Sequence, residues 1–385
     1  FKMEYINRSL SEILENTPKD KATIIFGPRQ VGKTTLLEHF IKNRDCFWLS
    51  GDEPVDVNIL TNLPSKKEVL SLLSSHKIIV IDEAQKIPGI GLLIKRMVDA
   101  RTECKIYVTG SSSLDLAGGA YESAAGRTRS YYLWPFSFEE LADASSVIQE
   151  KRNLSSRLVF GSYPQIINKP SQAIVNLNNL YKNLAFKDAL ALGGIKNHGA
   201  FQHLVYVLAS RIGQMCSYES IAQECKLSSP TVRTYITLLE QCFVIKCLPS
   251  FARNLENELK KSKKIYFYDL GVRNAILKRF TPLESRPFEE QGALFENYFV
   301  IERIKQASYH NCMVNHYFWR TKNKAEVDLI ETYNDEIQAF EIKLSRDDVM
   351  SPPSFREAYP EAKYTVVNKN NYQNYLSHWD LPIIV

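Results

Sequence analysis

The sequence predicts an α/β protein built in four parts: a parallel sheet covered by helices, a helical lid, a winged helix and a C-terminal α/β domain. Three observations lead to that reading. From residue 19 to about 135, short apolar runs alternate with helical stretches, the pattern of a parallel sheet with helices on both faces. After Pro135 the pattern becomes helical. Near the C-terminus, three strand candidates follow one long helix.

The runs of the first region are Ala22 to Phe26, Cys46 to Leu49, Ile78 to Ile81, Ile106 to Val108 and Tyr131 to Leu133. Helices are then expected over Phe138 to Ala144 and the amphipathic Ile174 to Leu192, with Gly193-Gly194 as a break. Between about 198 and 250 come a helix, a shorter helix Glu219 to Cys225, a Leu-Ser-Ser-Pro turn and a helix Thr231 to Glu240. They lead into a strand-like Phe243 to Leu248, and the whole reads as a winged helix. From about 286 onward come a helix Gly292 to Ser308, strands Tyr317 to Trp319, Ala325 to Glu331 and Ile337 to Leu344, and a mixed tail to Val385. The expected boundaries are 1–137, 138–196, 197–285 and 286–385. No repeat or low-complexity linker separates them, so close packing is expected.

Composition narrows the class. The chain has 385 residues, 44% hydrophobic and 24% charged, too long for one ordinary core and unlike a fibre, a disordered chain or a disulfide-stapled peptide. No run approaches the roughly 18 apolar residues of a spanning helix, and Phe1 to Leu10 lacks the apolar core of a secretory signal. A soluble, cytoplasmic protein with no membrane partner is the expectation. Seven cysteines without a CxxC pair fit a reducing compartment and give no zinc-ligand spacing. A net charge of +5 neither requires nor excludes a nucleic-acid partner.

The first chemical motif is Gly27-Pro28-Arg29-Gln30-Val31-Gly32-Lys33-Thr34, a GxxxxGK[ST] pattern placed after one apolar strand and before the helix-like Thr35 to Lys42. The glycines let backbone N–H groups wrap phosphate oxygens, and the helix start adds positive potential. Lys33 would reach the β- and γ-phosphates of ATP and Thr34 would coordinate Mg2+. This makes the first region a P-loop ATPase sheet, with Gly27 through Thr35 as its cofactor-binding stretch. A second strand ends in Asp82-Glu83, and strand ends are where parallel sheets place ligands. Asp82 would hold the magnesium through water, and Glu83 would orient and deprotonate the attacking water. A third strand ends Thr109-Gly110-Ser111-Ser112, placing the Thr109 and Ser111 hydroxyls where they would sense the γ-phosphate. The alternative for that loop is turn chemistry alone. Arg127, before the last strand, is either an arginine finger for a neighbouring copy's nucleotide in a homo-oligomer or a plain surface residue.

At these residues the chain resembles the AAA-type ATPases, and within them a large prokaryotic family whose C-terminal domain has unknown function. Further stretches that carry the resemblance are Glu122 to Arg127, Gly161-Ser162-Tyr163-Pro164, Asp269 to Arg273 and Gly292 to Glu296. Two departures are Ser162, where a second glycine is usual, and Leu270 between Asp269 and Gly271. The resemblance implies the order ATPase core, helical lid, winged helix and C-terminal α/β domain.

In the winged-helix segment, Ser228, Ser229, Thr231, Arg233 and Thr234 would lie near the start of the second helix, where they can touch DNA phosphates. From Phe251 to Arg279 eight basic residues face three acidic ones, and Lys260-Lys261-Ser262-Lys263-Lys264 is the densest part. That run is either a contact to a nucleic-acid backbone or a solvated loop.

If Asn334-Asp335 forms a two-residue turn, Asp328 faces Glu341 and Glu326 faces Lys343. All four then share one sheet face. An Asp followed thirteen positions later by Glu-x-Lys resembles the motif of restriction-endonuclease-like nucleases. That resemblance implies a second metal site of Glu296, Asp328 and Glu341, with Lys343 beside the attacking water. The plain alternative is a charge ladder that stabilises a hairpin. The expected function is an ATPase that couples Mg-ATP hydrolysis to movement of a C-terminal module. Its rivals are a nucleotide-regulated DNA-binding or DNA-cleaving protein and an ATP-bound scaffold with little turnover.

Overall fold

A computed structural model describes residues 5–62, 65–110, 124–184, 189, 193, 195–252, 263–346 and 348–377. They divide into two compact units, one of Glu4–Trp134 with Gln241–Phe243, the other chiefly of Pro135–Glu240 and Val244–Val385. Ser111, Ser112, Glu122, Gly194 and Lys260 to Ser262, singled out above, lie outside the described residues.

The first unit holds a five-stranded parallel sheet in the order β2-β3-β4-β1-β5. Its strands are β1 (Ala22–Phe26), β2 (Cys46–Ser50), β3 (Ile78–Asp82), β4 (Lys105–Gly110) and β5 (Thr128–Tyr132). Helices α1 (Leu10–Glu15), α2 (Lys33–Phe40), α3 (Pro54–Thr61), α4 (Lys66–Ser75) and α5 (Ile90–Asp99) surround them. Every residue of β1 and β3 is buried, as expected of Ile- and Val-rich strands covered on both faces. The last strand starts three residues before the apolar run that predicts it. Ala22 pairs with Thr128, and because β5 is an edge strand its first half is polar and gives no apolar signal. Five of the seven cysteines are buried, Cys46 and Cys312 are half-buried, and all are free thiols.

The second unit opens with α6 (Phe138–Ala144), α7 (Val147–Arg152), α8 (Leu154–Phe160), α9 (Pro164–Asn168) and α10 (Ala173–Tyr181). A reciprocal capping box between Ser137 and Glu140 fixes the start of α6. The helix expected to run to Leu192 is described as α10 to Tyr181, and between 185 and 194 only residues 189 and 193 are described. Next come α11 (His198–Ser210), β6 (Met215–Cys216), α12 (Tyr218–Cys225), α13 (Ser229–Gln241), β7 (Ile245–Leu248) and β8 (Lys263–Phe267). The three strands form a sheet in the order β6-β8-β7. After α14 (Leu270–Ile276) and α15 (Phe288–Tyr309) come β9 (Asn315–Arg320), β10 (Glu326–Tyr333) and β11 (Glu336–Ile342). Helix α16 (Pro353–Ala358), β12 (Lys363–Val367) and α17 (Gln373–Leu376) follow. This sheet is mixed, in the order β12-β11-β10-β9, with only β11 and β12 parallel. The β10/β11 register pairs Leu329 with Phe340 and Tyr333 with Glu336, the alignment a two-residue turn at Asn334-Asp335 predicts. The chain is thus mixed α/β, a P-loop-type parallel sheet with an additional C-terminal α/β sheet.

Two of the resemblance-bearing stretches meet in this unit. Asp269 caps α14 by accepting from the Val272 N–H at 3.0 Å, and its other oxygen accepts from the Ser162 N–H at 2.7 Å. A side chain at Gly161 (φ +72°) would put its Cβ 2.1 Å from that carboxylate, so glycine is required there. Asn274 donates to the carbonyls of Leu158 and Val159. The backbone of Ser162 makes its contacts, which is why a serine serves where glycine is usual.

Helix α15 carries charged residues into the interior. Arg303 donates to both carboxylate oxygens of Glu331, at 2.9 and 2.6 Å, and to the Tyr375 carbonyl. Lys305 bonds Glu302 at 2.7 Å and the Phe136 carbonyl at 3.2 Å, and Glu302 accepts from the Phe138 N–H. Beside Glu331, burial pushes the His316 imidazole down to about 4.

Two expected outcomes follow. Asp269→Ala removes two buried charge-assisted hydrogen bonds and should lower the unfolding free energy of this unit by about 2–4 kcal/mol in urea titrations. Asp269→Asn, which keeps an acceptor for the cap, should lose less; a loss under about 1 kcal/mol for the alanine variant would deny the clasp a stabilising role. His316 is protonated more readily in the unfolded chain, whose ordinary value is 6.5. Its contribution to stability is therefore present above about pH 6.5 and lost as the pH falls toward 4. His316→Gln should flatten the stability curve in that window, and an unchanged acid limb would remove His316 from it.

Candidate nucleotide site and a carboxylate and lysine cluster

The phosphate loop leaves the buried end of β1. Gly27 (φ +151°) lies so close to the next strand connection that a Cβ would sit 2.1 Å from the Leu133 carbonyl oxygen. Gln30 (φ +62°) and Gly32 (φ +95°) are left-handed, and alternation of this kind lets successive backbone N–H groups form an anion-binding concavity. Pro28 and Val31 are buried, Arg29 is half-buried, and Gln30 and Thr35 are exposed. Lys33 opens α2 but is itself buried, its ammonium donating to the carbonyls of Gly27 at 2.9 Å and Pro28 at 3.0 Å. The loop is thereby wrapped around its own lysine.

Strand β4 lies between β1 and β3, so Thr109 stands between the loop and the acidic strand end. Asp82 accepts from the Thr34 hydroxyl at 2.9 Å with one oxygen and from the Thr109 hydroxyl with the other. The Thr109 oxygen in turn accepts from the Glu83 N–H at 3.0 Å. Glu83 is left-handed (φ +51°), a conformation costly for a non-glycine residue and concentrated at functional positions. Its carboxylate accepts from the Gln85 amide at 2.6 Å. Four of the residues expected from sequence, Thr34, Asp82, Glu83 and Thr109, thus form one connected network. Thr34 and Asp82, hydroxyl and carboxylate at 2.9 Å, are a suitable hard-oxygen pair for Mg2+.

One contributor was not read from the sequence. Arg8 is 3% exposed and donates to the Val31 carbonyl at 2.8 Å and the Trp134 carbonyl at 2.6 Å. It fastens the loop to the end of the last strand. No motif marks it, because its partners are backbone carbonyls 23 and 126 positions away.

Arg127 precedes β5, and its carbonyl accepts from the Ala22 N–H at the start of β1. It therefore lies at the opposite end of the sheet from its own phosphate loop. Its guanidinium donates to Asp99 at 3.1 Å.

The C-terminal carboxylates gather differently from the expectation. Lys264, read from the sequence as part of a lysine run facing DNA or solvent, has a side chain 1% exposed on β8. Its ammonium lies 2.9 Å from Glu296, 2.5 Å from Glu326 and 3.2 Å from Asp328. The Tyr266 hydroxyl donates to the same Glu296 oxygen at 2.7 Å. Lys343 lies 3.3 Å from Asp328 and 2.5 Å from Glu341. Burial opposes the charge on Lys264, but Glu296, Tyr266, Asp328 and Glu326 outweigh it and hold the ammonium protonated. Burial and the neighbouring Asp328 push Glu341 up, and burial above all raises Glu296. Burial acts to raise Asp328 as well, but Lys264 and Lys343 prevail and hold it below the usual range. Among the described residues no three His, Cys, Asp or Glu side chains are grouped as a metal-ligand set. Glu296 and Asp328 share the Lys264 ammonium, beside the Tyr266 hydroxyl on Glu296 and the Ile342 N–H on Asp328, and the sequence reading had no reason to bring Lys264 to them across 32 and 64 positions. Lys263 is half-buried, with its ammonium 5.4 Å from the Tyr218 ring centre. The described part of the lysine run is therefore packed.

Comparison with known proteins divides the chain into three. Residues 19–142 match the family model of an AAA domain, 151–283 that of a domain of unknown function (DUF8612) and 291–383 that of another (DUF4143). The chain thus carries an AAA domain followed by two C-terminal domains of unknown function. Uncharacterized protein Rv2008c of Mycobacterium tuberculosis is 29% identical over 322 residues, spanning 83% of this chain and 69% of that protein. Uncharacterized protein MJ1637 of Methanocaldococcus jannaschii is 23% identical over 319 residues, spanning 72% of this chain and 66% of that protein. Among solved structures, the Walker-type ATPase PABY2304 of Pyrococcus abyssi gives a TM-score of 0.46 at 16% identity, covering 70% of this chain and 93% of its own. No helix among the described residues is long and apolar enough to cross a membrane.

The Arg8 fastening gives a direct test. Arg8→Met should lower the stability of the first unit by about 2–3 kcal/mol, because two buried carbonyls lose a charged donor. Differential scanning calorimetry should show the transition of that unit falling by several degrees, and an unchanged transition would show that the loop does not depend on Arg8.

Proposed function

We propose, from the AAA domain over residues 19–142, that this ATPase-like, nucleotide-binding protein hydrolyses ATP as a molecular switch. The observation that carries the reading is the network joining Thr34, Asp82, Thr109 and Glu83 across three strand ends. The backbone from Gly27 to Thr34 binds the phosphates, and Lys33 exchanges its carbonyl partners for the β- and γ-phosphate oxygens. Magnesium, when bound with the nucleotide, supplies positive charge against the developing charge on the phosphates. Thr34 and Asp82 hold it. Thr109 fixes both the Asp82 carboxylate and the Glu83 backbone, so the base enters the reaction already oriented. Glu83 takes the proton of the attacking water, with Gln85 restraining its carboxylate. Arg127 is proposed to act on the nucleotide of a second copy, leaving Asp99 to do so, and a homo-oligomer is part of the proposal; its distance from its own loop supports this reading. The segment 197–285, with its order of helix, strand, two helices and two strands, is proposed as a winged helix, between a lid over 138–196 and a C-terminal module over 286–385.

A second reading, regulated DNA binding, has one observation in its favour. Arg233 and Lys263 approach the Tyr218 ring at 5.3 and 5.4 Å, and Ser228, Arg233 and Thr234 are exposed at the start of α13. This makes a compact cationic face suited to phosphates.

Turnover of ATP with and without single- and double-stranded DNA tests both readings. Glu83→Gln should bind nucleotide as the wild type does and hydrolyse it about a hundredfold or more slowly, while Lys33→Ala should lose binding itself. Equal turnover in wild type and Glu83→Gln would sink the assignment. Arg127→Ala should lower turnover without weakening binding, and wild-type specific activity should rise with protein concentration. If a confirmed monomer hydrolyses ATP independently of concentration, the finger role is gone. DNA affinity that is unchanged in the Arg233→Ala, Lys263→Ala double variant, or that does not fall with salt, would dismiss the cationic face.

A further inference from the structure

The stretch Asp269 to Arg273 begins with a capping carboxylate and ends with a guanidinium that the packing of the second unit does not use up. Arg273, on α14, is 3% exposed. Its Nε donates to the Ala209 carbonyl at 2.7 Å, and its Nη1 to Asn274 at 3.0 Å and to Glu290 at 3.1 Å. Its Nη2 makes no hydrogen bond among the described residues, although a buried guanidinium short of acceptors is costly. Arg273 lines a cleft of about 370 Å³ bordered by α11, α14 and the start of α15, a size suited to a small organic ligand.

Three guanidiniums converge there on one carboxylate. Glu290 lies 3.1 Å from Arg273, 3.5 Å from Arg286 and 2.8 Å from Arg279. Arg286 is otherwise spent on the carbonyls of Arg279 and Thr281, whereas Arg279 has a side chain 44% exposed and lines the cleft beside Arg273. Three guanidiniums against Glu290 leave an excess of two positive charges, or one when Glu289 is counted. Glu289 also lines the cleft, but it is exposed, where water and salt screen it. Burial above all holds Arg273 and Arg286 below the usual guanidinium range. Surplus guanidinium in a partly dry cleft favours an anion, and the planar fork of arginine matches the paired oxygens of a carboxylate or phosphate. The lining is not all ionic: Tyr206, Leu277 and Pro287 add a ring and apolar surface to the same cleft.

We propose that this cleft binds a small organic anion, its carboxylate or phosphate-monoester head held by Arg273 and Arg279 and its aromatic or apolar body lying against Tyr206 and Leu277. Arg273 offers the head its Nη2, and Arg279 offers the part of its guanidinium that Glu290 does not hold. Glu290 keeps the two side chains together for that task. The proposal does not depend on the nucleotide reading and is tested on the full chain without nucleotide.

Phenyl phosphate and benzoate are the probes, because they share one body and differ in the head, and titration calorimetry reads their binding. At least one should bind saturably, and the tighter of the two identifies the head the cleft prefers. Arg279→Gln should weaken that binding by at least about tenfold, the loss expected of one charge-assisted pair. Tyr206, 52% exposed, can be truncated with little risk to folding, and Tyr206→Ala should weaken the phenyl probe while leaving any binding of inorganic phosphate unchanged. Lys33→Ala, which disables the phosphate loop, should leave the affinity of the probe as it is. Failure of both probes to bind would overturn the proposal. So would equal affinity in the wild type, Arg279→Gln and Tyr206→Ala, or binding that Lys33→Ala abolishes, which would place the probe in the loop after β1 instead.

Discussion

An α-helix buried on nearly every side cannot carry ionic groups unless each finds its partner, and α15 carries five such groups between Glu290 and Lys305. Glu290, Glu296, Glu302, Arg303 and Lys305 all point into the second unit. Their partners lie on four different stretches of chain. Glu290 receives Arg273 and Arg279, Glu296 receives Lys264, Glu302 receives the Phe138 N–H, and Arg303 receives Glu331. Asn297 adds a pair of hydrogen bonds to the backbone of Phe267, at 2.8 and 2.9 Å. Desolvating any of these groups without its partner would cost several kcal/mol. The helix therefore fixes where α6, β8, α14 and β10 must lie, and the two sheets of this unit are held to a common ruler.

The first unit solves a different problem. Its chemistry is carried by the loop after β1 and the end of β3, which are not neighbours, because β4 runs between them. Thr109 turns that separation to use: one hydroxyl binds the carboxylate of Asp82 and the backbone of Glu83. The position of the acidic pair is thus set by a strand that bears no charge of its own at that point.

The sequence disclosed what is local. Gly27 to Thr34, the apolar strand before it and the Asp82-Glu83 strand end can be read because each is a short contiguous pattern with a fixed physical job. The register of the β10/β11 hairpin was also legible, since two turn residues determine it. Illegible were contacts whose partners are distant in the chain or belong to the backbone. Arg8 bonds two carbonyls, and carbonyls have no residue identity to search for. Lys264 sits in a run of lysines whose composition points to solvent, yet its neighbour across β8 pairing is Met215 and its charge is spent internally. The polar start of β5 was missed because edge strands need no apolar alternation. Purpose was less legible than geometry: Gly161 and Asp269 stand in stretches that carry the resemblance, and their contacts are with one another's segments.

The reach of α15 to Lys264, Phe267 and Arg273 has an implication for heredity as well as for folding. The two family models of the second half meet between residues 283 and 291, which suggests modules that recombination could shuffle independently. The physical unit does not divide there, since α15 begins at Phe288 and grips segments on the other side of that seam. A gene fusion that exchanged one module alone would inherit carboxylates without their ammonium partners. Such hybrids would be eliminated as misfolded chains before any new activity could be selected, so the two stretches are expected to travel through lineages as one heritable block.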